Sequence, residues 1–306
     1  MIGSHHGLLL LNKKSGISSF DSLKGVKRAF ATGKAGHTGT LDKFATGLLV
    51  VLVGRGVKLA PVFKHCDKEY YGTFHFGLET DTLDPEGAVV AQAPLPEREA
   101  VESILDSFRG NILQAPPAFS ALHINGRRAH ELVRQGVEVE MKKRPVTVYR
   151  LEIQSWNPPE AVIRVSCSAG TYIRSLARDI ALAAGSRAYL SALTRTRVGG
   201  FNLESAVEDS GNDENLIHTL RPLDRKLFES AALPYFLIDE RASENFIHGR
   251  ALDRVLEKGQ FFSAPGMQLR DEMTAGIFKI NDPDKLMGII GYRNGAWSYG
   301  HVFADN

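Results

Sequence analysis

The chain has little cysteine: Cys66 and Cys167 are the only two in 306 residues, and neither stands in a CxxC pair or at a Cys/His metal spacing. A disulfide framework and a zinc site are therefore not expected, and a reducing, cytoplasmic setting is. No apolar run approaches the roughly 20 residues of a membrane span, so no membrane association is expected. Residues 1–6 lack the basic region and long apolar core of a secretory signal. Internal repeats, low-complexity tracts and long basic tails are missing as well.

What remains is ordinary for a soluble globular protein, with 43% hydrophobic and 24% charged residues. The length suits a catalytic domain plus a small second one. The net charge of +2 conceals an asymmetry about residue 208, because residues 1–208 carry 26 basic and 20 acidic side chains and residues 209–306 carry 11 and 15. A basic first part favours a polyanionic partner, since neutralising phosphates releases counterions.

Residues 7–11 read as a buried strand, and Ser18-Ser19 offers capping hydroxyls ahead of the helically spaced Phe20, Leu23, Val26 and Phe30. The glycine-rich residues 33–39 read as a loop, and the continuous apolar run 48–53 as a strand buried on both faces. Asp42 thus lies on a loop feeding a core strand. Residues 70–76, 146–153 and 162–167 read as strands, and Pro96 to Phe108 as a capped helix. Thr171 can cap a helix with apolar positions Ile173, Leu176, Ile180 and Ala184 that ends at Gly185. Beyond Phe228, the short alternating segments 275–280 and 286–292 indicate a small β-rich unit.

Residues 35–49, AGHTGTLDKFATGLL, resemble the catalytic-aspartate motif of the TruB family, the bacterial tRNA pseudouridine-55 synthases. Six further segments resemble that family in the same order: 7–19 (GLLLLNKKSGISS), 67–70 (DKEY), 77–87 (GLETDTLDPEG), 116–121 (PPAFSA), 167–174 (CSAGTYIR) and 193–199 (LTRTRVG). The resemblance implies an α+β pseudouridine synthase fold, with a mixed, largely antiparallel central sheet flanked by helices and loops. It places the catalytic domain at residues 1–228 and a small β-rich, PUA-like domain at 229–306. The acidic excess of the second part argues against simple RNA binding there.

Turning uridine into pseudouridine breaks N1–C1′, rotates the base and rejoins it through C5, so no cofactor is needed. One ionised carboxylate can serve, by adding to the base, attacking the sugar or acting as a base. Burial raises an Asp pKa and a nearby Arg lowers it, so the site needs a cation. By resemblance Asp42 is the catalytic carboxylate, Arg174 its ionic partner, and Tyr70 the ring that stacks on the flipped uracil and helps remove the C5 proton. Flipping costs a few kcal/mol and stacking returns about 1–3 kcal/mol. Tyr71, on the other face of the strand, is expected in the core.

His37 resembles a histidine that enters the T-loop and helps displace the target nucleotide, and Lys13 a lysine that supports the active-site loop. Tyr172 and Leu193 are expected at the substrate. In this sequence Asn12 and Lys14 flank Lys13 where the family has Asp and Pro, Lys43-Phe44 replaces Pro-Leu, and Ala169 replaces a Lys. Basic residues at 142–144 together with Arg187, Arg195 and Arg197 are candidates for phosphate contacts. Asp81 and Asp84 are assigned to loop structure, and no metal is expected.

The expected partner is the tRNA T-arm, not DNA or a membrane. The lack of basic tails favours a stand-alone monomer over guide-RNA-dependent relatives. Two rival readings remain at this level: an idle RNA-binding module, and a hydrolase using Asp42 as a glycosidase-type nucleophile, which would want a second carboxylate.

Overall fold

The computed structural model describes residues 5–120, 123–124, 127–128, 135, 141–208, 213–269 and 271–303. The basic run 142–144 is within the described residues, whereas residue 121, the last of the 116–121 segment, lies outside them.

A ten-stranded mixed sheet organises the first part of the chain. From edge to edge it runs Val207–Glu208, Gly7–Lys13, Thr46–Val53, Ala188–Val198, Lys68–Phe76, Glu160–Cys167, Arg144–Asn157 and Gly110–Gln114. Ala35–His37 and Phe201–Asn202 attach to its flanks. Most pairings are antiparallel, and the Thr46–Val53/Ala188–Val198 pair is parallel.

The apolar run after Asp42 behaves as its composition dictates. Leu48, Val50 and Leu52 enter one apolar cluster while Leu49, Val51 and Val53 enter another, so this strand is covered on both faces. The amphipathic helix Ile173–Ala183 lays Leu176, Ala177 and Ile180 against Phe74, Ile163 and Leu190 of the sheet. It ends at Ala184 and Gly185, the latter at φ +73°, a left-handed position that suits glycine.

A second, five-stranded sheet is ordered Gln260–Phe262, Tyr235–Ile238, Thr274–Lys279, Asp282–Arg293 and Ala296–Val302. Its own core gathers Phe236, Phe246, Ile277 and Ile290. Its other apolar face joins Tyr235, Leu237, Phe278 and Ile289 to Leu8, Leu10 and Phe201 of the first sheet and to Phe63 of the short helix Ala60–Lys64, in one continuous cluster. Among the described residues no helix is long and apolar enough to cross a membrane.

Four local expectations are corrected. Residues 33–39 are not all loop, because Ala35–His37 pairs with Val51 to Val53 as a short strand. The first helix begins at Leu23, and Phe20 lies outside it, exposed. Thr171 does not cap its helix; its hydroxyl donates to the Ser168 carbonyl. Tyr71 is half-buried beneath Arg164, and Tyr70 takes the buried face, because the strand buries Lys68, Tyr70, Gly72, Phe74 and Phe76 in alternation.

Candidate active site

The loop bearing Asp42 is pinned from below. Ser19 does not cap a helix: its hydroxyl donates to the Leu41 carbonyl at 2.9 Å and accepts from the Leu41 N–H at 2.8 Å. Lys13, 1% exposed, donates to the carbonyls of Ala45 at 2.6 Å, Lys14 at 2.9 Å and Lys43 at 3.3 Å. Burial pushes its ammonium down to about 8, with Asp42 pulling the other way. The Ser15 hydroxyl donates to Phe44 O at 2.8 Å. The turn after Asp42 is thus held through its carbonyls, contacts that any side chain at positions 43 and 44 permits.

Asp42 opens onto a cleft of about 530 Å³ that Tyr70, Asp84, Tyr172, Arg174 and Leu193 also line. Arg174 projects from the first turn of the Ile173–Ala183 helix and is 6% exposed. Its Nε lies 3.0 Å from Asp42 Oδ2, and its Nη2 donates to Asp42 Oδ1 at 3.3 Å. Its Nη1 donates to Asp84 Oδ2 at 3.0 Å and to the Thr82 carbonyl at 2.8 Å, and Nη2 also to Phe119 O at 3.1 Å. One guanidinium therefore serves two carboxylates.

Asp84 has the loop role read from the sequence and is, in addition, the buried counter-ion behind Arg174. Its other oxygen accepts from the Thr82 hydroxyl at 2.6 Å and the Glu86 N–H at 3.0 Å. The available signal was its place in the 77–87 segment, one of the seven that match. Asp81 does shape the loop, accepting from Ala88 N–H at 3.0 Å.

Burial pushes the Asp42 carboxyl above the usual carboxylate value. Arg174 opposes this, and the like charges of Asp84 and Glu86 add to it. Side-chain exposure of 38% shows that Asp42 faces the cleft, while the protein around it withholds much of its water.

Tyr70 is 9% exposed and lines the cleft. Burial pushes its phenol up, with Arg195 pulling down. The Tyr172 backbone is fixed by Gln114, which accepts from its N–H at 2.8 Å and donates to its carbonyl at 3.1 Å. Asp42, Tyr70, Tyr172, Arg174 and Leu193 thus share one cleft. Lys13 lies behind it, under the loop.

His37 lines an adjoining cavity of about 760 Å³, which shares Thr38 with the Asp42 cleft. Burial, then Arg195, pushes His37 below the ordinary histidine value, and its buried Nδ1 has no partner among the described residues. Three basic candidates are already engaged: Arg187 pairs with Glu79 at 3.0 Å, Arg197 donates to Gly199 O at 3.0 Å, and Arg195 is 2% exposed and bonded to backbone carbonyls. Arg195 is therefore corrected from a phosphate contact to a buried group of the site.

The profile described as TruB family pseudouridylate synthase (N terminal domain) matches residues 27–173, which include Asp42 and Tyr70. The tRNA pseudouridine synthase B of Treponema denticola is 34% identical over 96% of this chain and 97% of its own. The protein of that name from Borreliella burgdorferi is 48% identical over 69% of this chain and 74% of its own. Among solved structures, the Cbf5-Nop10-Gar1 complex aligns with a TM-score of 0.69 at 23% identity, covering 98% of this chain and 84% of that one. An H/ACA RNP bound to a substrate RNA containing 2′-deoxyuridine aligns at 0.63, also at 23%, covering 94% and 78%. These two likenesses speak for the fold.

The mixed, largely antiparallel sheet and its relatives define an α+β isomerase of the pseudouridine synthase class, with a C-terminal sheet that fits a PUA-like domain. The chain belongs to the TruB family of pseudouridylate synthases.

Proposed function

We propose that the protein converts a uridine in the T-loop of tRNA, at position 55, to pseudouridine. Asp42 is its catalytic carboxylate, Arg174 the ionic partner, and Tyr70 the ring under the flipped base. The reading is carried by one observation: Asp42 is held 3.0 Å from Arg174 in a cleft that Tyr70 also lines. Relatives named tRNA pseudouridine synthase B over nearly the whole chain support the substrate class.

The chemistry follows from these groups. Arg174 keeps Asp42 ionised against its burial, leaving a carboxylate oxygen for C1′ or the base as N1–C1′ breaks. The detached uracil stacks on Tyr70, turns, and rejoins through C5. Its C5 proton leaves and N1 gains one, so the reaction is redox-neutral and gains no atoms. His37, beside Thr38 at the mouth of the next cavity, enters the T-loop, and Tyr172 and Leu193 flank the base.

Asp84 does not serve the hydrolase alternative. It is buried, and its oxygens accept from Arg174, Thr82 and Glu86, which leaves it no proton to give a leaving group.

The enzyme acts on tRNA as a stand-alone cytoplasmic monomer, with the synthase domain over residues 1–228 and the PUA-like domain over 229–306. The test is conversion of uridine in a T-arm stem-loop transcript. Wild type forms pseudouridine and Asp42→Asn does not; activity surviving in Asp42→Asn would sink the assignment. Binding without C5 tritium release by the wild type would identify an RNA-binding module instead.

A further inference from the structure

Where the synthase part meets the C-terminal sheet, a cavity of about 820 Å³ lies outside the catalytic cleft. The synthase part lines it with Lys34, Arg55 and Lys58, and the end of the C-terminal sheet with His301 and Phe303. Among the described residues no carboxylate lines it, and none of these three cations makes an ion pair. The catalytic cleft differs, because Asp42, Asp84 and Glu86 stand there against its cations.

The fold gathers these groups from separate stretches of chain. Ala35 pairs with Val53 across two antiparallel strands, and the Gly54 N–H donates to the Lys34 carbonyl at 2.7 Å. Lys34 and Arg55 therefore leave the same end of the strand pair. Gly54 sits at φ +60°, and a Cβ there would lie 2.2 Å from His6 Nδ1, so glycine lets His6 close that wall. Opposite, the His301 and Phe303 rings meet edge to face at 4.9 Å, and Phe303 is backed by the apolar cluster that joins the two sheets.

Three like charges in one enclosure repel each other and focus a positive field, which a bound anion relieves. The volume is that of a small-molecule site. Lysine and arginine suit phosphate, and an aromatic wall beside them suits a planar base.

We propose that this cavity is a second ligand site, which takes a nucleotide with its phosphates on Lys34, Arg55 and Lys58 and its base against His301 and Phe303. The nucleotide bridges the synthase part and the C-terminal sheet. Lys58 and His301 also line the His37 cavity, which shares Thr38 with the Asp42 cleft, so the site is one full cavity removed from Asp42. A free nucleoside triphosphate and a nucleotide of an RNA strand offer the same chemistry.

The experiment titrates the full chain with ATP, with inorganic tripolyphosphate and with whole tRNA, by calorimetry and fluorescence anisotropy. The double variant Lys34→Gln/Arg55→Gln should weaken nucleotide binding at least about tenfold. Phe303→Leu should weaken ATP about fivefold and leave tripolyphosphate unchanged, since only ATP has a base to stack. Losses confined to ATP identify a free nucleotide, and losses confined to tRNA identify one within an RNA strand. Binding of both that survives the double variant overturns the proposal, as does an equal loss of ATP and tripolyphosphate in Phe303→Leu. T-arm conversion by the double variant should stay within about twofold of wild type, because neither residue lines the two cavities nearest Asp42.

If the double variant fails to fold by circular dichroism, photolabelling of the wild type with 8-azido-ATP carries the test. Label on the peptide holding His301 and Phe303 supports the site, and label only elsewhere overturns it.

Discussion

Arg174 and Arg195 are both buried in the wall of one cleft, yet their charges are balanced by different means. Arg174 sits between Asp42 and Asp84, each 3.0 Å away, so that corner of the cleft carries two negative charges against one positive. Arg195 rests on the carbonyls of Gly39, Thr40 and Leu48. Carboxylates cancel a cation, whereas carbonyl dipoles satisfy its donors and leave its field in place. The Arg174 corner therefore governs the protonation of Asp42, and the Arg195 corner governs the geometry of the loop that carries it.

The sharpest way to break this contrast is to remove the carboxylate that only one corner owns. Asp42→Asn should lower kcat by at least about 10³-fold, with T-arm RNA binding by fluorescence anisotropy unchanged. Its melting temperature at pH 7 should not fall. Asp42 has a folded-state pKa above 3.8, so its ionisation costs the fold stability as pH rises through the window above 3.8, and asparagine lifts that cost. Melts at pH 4 and 7 check the sign.

Arg174→Met should be the most damaging change to the fold, at about 3–5 kcal/mol, because it strands two buried carboxylates. In any folded fraction the acid limb of the pH–rate profile moves to higher pH, since Arg174 is what opposes the upward push on Asp42. Elsewhere in the cleft, Tyr70→Phe keeps the stacking surface and loses the hydroxyl, so kcat should fall about 100-fold while RNA affinity holds.

Asp84→Asn sharpens the comparison within one corner. Losing a like charge lowers the Asp42 pKa, so the acid limb should shift to lower pH, opposite to Arg174→Met. Turnover should fall roughly tenfold through looser placement of Arg174. The smallest effect is expected beneath the loop, where Lys13→Met removes three bonds to carbonyls and should cost about 1–3 kcal/mol in urea unfolding. Wild-type Lys13 titrates near 8 in the fold against 10.5 unfolded, so it makes stability rise with pH between those values. The methionine variant should lose that slope.

Much of this site was legible from residue types and their order. The run after Asp42 is a doubly covered strand as its uninterrupted apolar composition requires, and the helix behind Arg174 ends at Gly185. The misread residues share one cause. The ionic role of Asp84 stayed hidden behind its loop role, and Arg195 looked like a phosphate ligand, because their partners are far along the chain: Arg174 lies 90 residues beyond Asp84, and Gly39 lies 156 before Arg195. Tyr70 and Tyr71 were exchanged with respect to the core because alternation gives two faces without saying which is covered.

The sequence by itself determined which chemical groups are available and in what local setting: an aspartate on a glycine-bounded loop, a tyrosine on a strand, an arginine at the start of a helix. Only the tertiary structure decided which charge answers which. Ion pairing depends on separations of a few ångströms and on shared burial, and those arise where strands and helices distant in the chain pack together.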